Sequence, residues 1–211
     1  MLLKNNQVID INTLNTFSYK TYMDLMRRLA ATEGTTGVQG ESEAYYTKLN
    51  AQRMERVNKT WTVIPEVVAL SEKYSPQIRI LAIVESWCAD AAPNTATMAL
   101  LAEQLHIDMD IILRDENPEI MDMFLTNGTR SIPKFIFIDN ETHLPLASWG
   151  PRQKPAAELV KTARENGVDG EVWKADLQKW YNQDKGVTLQ KEIVDLLFQI
   201  AEKKHAQLSK N

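Results

Sequence analysis

The sequence predicts an α/β fold: a four-stranded mixed sheet flanked by helices, with helical extensions at both ends. Two patterns carry that prediction. Residues about 77 to 166 alternate short apolar, β-branched runs with helix-period segments, in the order β-α-β-α-β-β-α. On either side, residues about 14 to 75 and 170 to 206 show only the three- and four-residue apolar spacing of helices. The expected division is 1–75 as an N-terminal extension, 76–168 as the core and 169–211 as a C-terminal extension packed on it.

In the first region Tyr22, Leu25, Met26 and Leu29 share one helix face. The breaker Glu33–Gly40 follows, and Ser42 is placed to cap a second helix carrying Tyr45, Tyr46, Leu49 and Val57. Pro65 opens or bends a third, with Val67, Val68 and Leu70. The core begins with Ile78–Val84, β-branched as a buried strand requires. Ala91–Leu105 is a helix, Ile107–Leu113 a second strand, and Pro118 starts a helix running through Leu125 to a stop at Asn127-Gly128. Lys134–Ile138 and Leu144–Trp149, joined by Asp139-Asn140-Glu141, read as a hairpin, and Pro155 starts the core's last helix. In the tail, Val172, Trp173, Leu177, Trp180 and Tyr181 form one face. Thr188 is placed to cap a final helix with Ile193, Val194, Leu197 and Ile200 inward.

The 211 residues are 44% hydrophobic and 25% charged, with a net charge of −4. That supports a real core and gives no basic footprint for nucleic acid. Met1–Asn6 turns polar at once, and no run is long enough to span a bilayer, so a cytoplasmic protein without membrane contact is expected. His106, His143 and His205 are scattered, so no metal site is expected, and no cofactor.

The single cysteine, Cys88, lies where a strand-like run meets a helix start. Helix N-terminal amides favour a thiolate, the nucleophilic form. Glu85 and Asp90 oppose this through their negative charge, and Asp90 is also placed to cap the helix. The alternative is a buried cysteine that acts only as a small hydrophobe.

This strand order, with Trp87-Cys88 at the first strand–helix junction, resembles the thioredoxin fold. Asp115-Glu116-Asn117-Pro118 is similar to the family's turn after the second strand. Thr129–Pro133 before an apolar strand is similar to its Arg-Gly-Ile-Pro segment, and Trp149-Gly150 fits the end of its fourth strand. The whole layout resembles a bacterial thioredoxin-like group with a Trp-Cys-x-Asp-Ala motif. The resemblance implies Cys88 as the nucleophile, assisted by Trp87 and Asp90, and Pro133 as a cis-proline facing the thiol. It also implies a substrate groove formed by Trp87, Ile132 and Pro133, with Arg130 adding positive charge.

Two departures stand out. Ala91 occupies the position of the resolving cysteine, and Ala82 that of a buried acid that assists it. The expectation is therefore monothiol disulfide exchange, resolved by a low-molecular-weight thiol or a partner protein. The alternatives are a non-catalytic peptide- or protein-binding module and a single-cysteine redox sensor.

Overall fold

The computed structural model describes residues 7–72 and 77–208. Met1–Asn6, the expected boundary at 75/76 and the side chain of His205 lie outside what is described. A four-stranded sheet forms the centre, built from β1 (Ile78–Val84), β2 (Asp108–Leu113), β3 (Lys134–Asp139) and β4 (Pro145–Trp149), in the order β2-β1-β3-β4. β1 pairs parallel with β2 and antiparallel with β3, and β4 closes the hairpin. The two central strands are covered on both faces, which is why they read as continuous apolar runs rather than as alternation.

Helix α1 (Tyr19–Ala31) is capped by Ser18, whose hydroxyl accepts from the Thr21 amide. Just before it, Phe17 exchanges backbone hydrogen bonds with Ile111, at 2.8 and 2.9 Å, and covers the outer edge of β2. α2 spans Glu41–Thr60 and α3 spans Pro65–Ser71, the latter with proline in its first turn. α4 (Ala91–Gln104) follows β1, α5 (Pro118–Asp122) follows β2 and α6 (Lys154–Glu165) follows β4. α7 (Gly170–Asp184) and α8 (Val187–Leu208) complete the chain.

One continuous apolar cluster runs from Ile9 and Met26 through Met54, the sheet and α4 to Leu197 and Ile200. Both extensions therefore share the sheet's core. A second, small cluster joins Ala156, Val160, Leu177 and Tyr181 between α6 and α7. Among the described residues no helix is long and apolar enough to cross a membrane.

Several sequence expectations shift. α2 begins one residue before Ser42, with Gly40 at its cap. Its inward residues are Thr47, Asn50, Ala51 and Met54, while Tyr45 is 61% exposed. The cause is the partner surface. The Thr47 hydroxyl lies 2.8 Å from that of Ser86, and the Asn50 amide donates to the Ser86 carbonyl at 2.8 Å. A helix packed on polar groups buried past a strand end needs polar side chains there. α5 stops at Asp122, short of Leu125. Thr188 lies inside α8, where its amide donates to the Asp184 carboxylate at 3.2 Å. Val172 is half-exposed, outside the buried pair Leu177 and Tyr181.

Candidate functional site

Past the end of β1 the chain turns tightly. The Cys88 amide donates to Glu85 O at 3.2 Å, and the amides of Ala91 and Ala92 donate to Cys88 O at 3.1 and 3.3 Å as α4 begins. This places the Cys88 sulfur at the helix start, facing the loop before β3. Its thiol donates to the Ile132 carbonyl at 3.4 Å, and the Ile132–Pro133 peptide bond is cis.

Cys88 is buried. Burial, and then the negative charge of Asp90, push its thiol up to about 12. The amides of Ala91 and Asp90 and the charge of Arg152 act in the opposite direction, with less effect. The competition between helix start and carboxylate is thus decided by a third quantity, desolvation. The sequence did not show how deeply the thiol would sit.

Asp90 does not cap α4; its side chain makes no cap hydrogen bond. Its carboxylate instead pairs with Arg152 and accepts from the Tyr181 hydroxyl at 2.8 Å. Asn94 on α4 donates to the Tyr181 oxygen at 3.3 Å and accepts from Gln153 at 2.7 Å. This network ties the start of α4 to the loop after β4 and to α7. Its members Arg152, Tyr181, Asn94 and Gln153 went unrecognised in the sequence. Asn94, an amide in the first turn of a helix rich in small residues, was the available signal.

Cys88, Trp87 and Asp90 border a cavity of about 280 Å³ between the core, α2 and α7. Tyr46 and Arg53 of α2 and Trp173 and Tyr181 of α7 complete its aromatic and basic walls. Trp87 is partly buried and carries the Arg114 guanidinium over its ring at 4.9 Å. The Ile132 carbonyl meets the sulfur, and neither Ile132 nor Pro133 belongs to this lining.

Two charged residues differ from expectation. Arg130 is exposed and bonded to Asp122 through two 2.7 Å hydrogen bonds, so the positive charge beside the thiol comes from Arg152 instead. Glu85 faces away, accepting from Thr36 and from the Asp115 amide, and burial pushes its carboxyl up. Among the described residues no group of three His, Cys, Asp or Glu side chains is placed to hold a metal ion.

A sheet of this order, with a thiol at the β1–α4 junction opposite a cis-proline, defines a thioredoxin-like protein. Residues 39–164 match the family model described as Thioredoxin, more than half the chain, and the chain belongs to that family. The match starts ahead of α2, so it takes in two helices of the N-terminal extension. No curated protein matches. Among solved structures, an HIV epitope-scaffold of the 4E10 series superposes with a TM-score of 0.52 at 16% identity, covering 89% of this chain and 99% of its own. A protein of unknown function, PA1234 from Pseudomonas aeruginosa, superposes with a TM-score of 0.47 at 16% identity, covering 81% and 99%. At that identity the likeness concerns the fold alone.

Proposed function

We propose that this thioredoxin-family chain works as a binding module, holding its ligand in the cavity beside Cys88. One observation carries the reading: the thiol borders the cavity, yet burial keeps it protonated. At pH 7 a thiol near 12 is ionised to roughly 1 part in 10⁵, against about 3% for an ordinary thiol near 8.5. The greater nucleophilicity of a more basic thiolate recovers only part of that, leaving exchange about a hundredfold slower. Alkylation of Cys88 by iodoacetamide at pH 7 should therefore run about a hundredfold below that of free cysteine. A rate equal to free cysteine would sink this reading.

Monothiol exchange is the second reading, favoured by Arg152 and the helix-start amides, which lower the thiol's pKa. Here the Cys88 thiolate attacks a disulfide, forming one S–S bond and expelling one thiolate. Because Ala91 supplies no second sulfur, an external thiolate must then displace Cys88 and carry away the mixed disulfide. Cys88→Ser separates the readings: it abolishes covalent capture and leaves non-covalent binding unchanged.

A further inference from the structure

The charges of the Cys88 cavity do not balance locally. Lys174 is held by Glu171 at 2.8 Å and Arg152 by Asp90. Arg53 has no ion pair among the described residues; its guanidinium donates to Asn50 Oδ1 at 2.8 Å. Asp90 is close enough to be felt at Arg53, but its two oxygens are taken by Arg152 and Tyr181. The cavity's other acid, Glu43, sits in the first turn of α2, where the helix dipole favours it. At the usual helical rise it lies roughly 15 Å along the helix from Arg53. Arg53 is thus a partly desolvated cation: burial pulls its pKa down, with Tyr46, Tyr45 and Asp90 opposing less strongly.

Around it the walls are aromatic: Tyr46, Trp87, Trp173 and Tyr181. The volume of about 280 Å³ is at the small end for a ligand site and suits a single ring. From these observations, and resting on the binding reading above, we infer that the cavity takes a small aromatic carboxylate. The ring lies between the aromatic walls and the carboxylate on Arg53. Guanidinium and carboxylate match in planar geometry and in charge, which makes Arg53 the determinant of ligand class.

The test is calorimetric titration of the full chain with phenylacetate and with its uncharged isostere phenylacetamide. Phenylacetate should bind about tenfold more tightly. Arg53→Gln should erase that preference, bringing the two probes to equal affinity, and Arg53→Lys should retain part of it. Equal binding of the two probes by the wild type, or a preference that survives Arg53→Gln, overturns the inference but not the binding reading. If neither probe binds and neither slows Cys88 alkylation, the inference falls, and the binding reading is decided by the alkylation rate of Cys88 alone.

Discussion

The Tyr181 hydroxyl donates to the Asp90 carboxylate at 2.8 Å, linking residues 91 positions apart. It joins the C-terminal extension to the residue two places beyond the thiol. Tyr181→Phe removes this donor and the acceptor used by Asn94, both buried. The expected loss is about 1–3 kcal/mol, read from urea unfolding curves.

Asp90 raises the Cys88 pKa, and Arg152 lowers it. Asp90→Asn removes the first influence and frees Arg152 from its ion pair, so both changes favour the thiolate. Iodoacetamide alkylation at pH 8 should accelerate, by up to about tenfold for each unit of pKa lost. An unchanged rate would mean that desolvation alone governs the thiol.

The same thiol makes stability depend on pH. Its value in the folded chain, about 12, lies above the unfolded value of about 8.5, so the folded state keeps its proton longer. The resulting stability is fully present below about 8.5 and drains as pH rises toward 12, by about 1.4 kcal/mol per unit. Wild type should lose stability between pH 9 and 11 more steeply than Cys88→Ala, in paired urea titrations.

Lys134 carries the opposite sign. Burial pulls its ammonium down to about 8, and it bonds to Thr126 Oγ1 at 2.5 Å and Gly150 O at 3.5 Å. No carboxylate pairs with it among the described residues. The folded chain gives up this proton before the unfolded chain does, so the cost is full below about 8 and fades by about 10.4. Lys134→Met should therefore raise the thermal midpoint most at pH 6–7, with the gain shrinking as pH climbs to 10. A gain independent of pH would assign the effect to packing.

Gly150 has φ +126, and a Cβ there would lie 2.1 Å from the Pro133 carbonyl oxygen. Gly150→Ala forces the loop before β3 away from β4, next to the thiol's partner Ile132. A loss of about 3 kcal/mol or more is expected in chemical denaturation.

The sheet was legible in the sequence because its central strands are buried on both faces and therefore run apolar without interruption. Cys88 was legible from the strand–helix junction, and the cis Ile132–Pro133 bond from the likeness of Thr129–Pro133 to the thioredoxin family's segment. The cavity was not. Arg53, Tyr46, Trp173 and Tyr181 come from helices far apart in sequence, and only tertiary packing gathers them. Periodicity placed Val57 of α2 against the core but also chose exposed Tyr45 and passed over Thr47 and Asn50, since it counts apolar residues and their partner is polar Ser86. Arg130 was chosen by proximity to Pro133, but Asp122, eight residues earlier, holds it.

The cluster of Ala156, Val160, Leu177 and Tyr181 stands apart from the main core. The energetic consequence is a local cooperative unit. The cluster holds α7 to α6 and the Tyr181 hydroxyl ties α7 to the start of α4, so a local opening of α7 would break these contacts and leave the sheet's own core intact. Such an opening would enlarge the cavity beside Cys88 without global unfolding. Hydrogen exchange of the α7 amides faster than that of the sheet would be its signature.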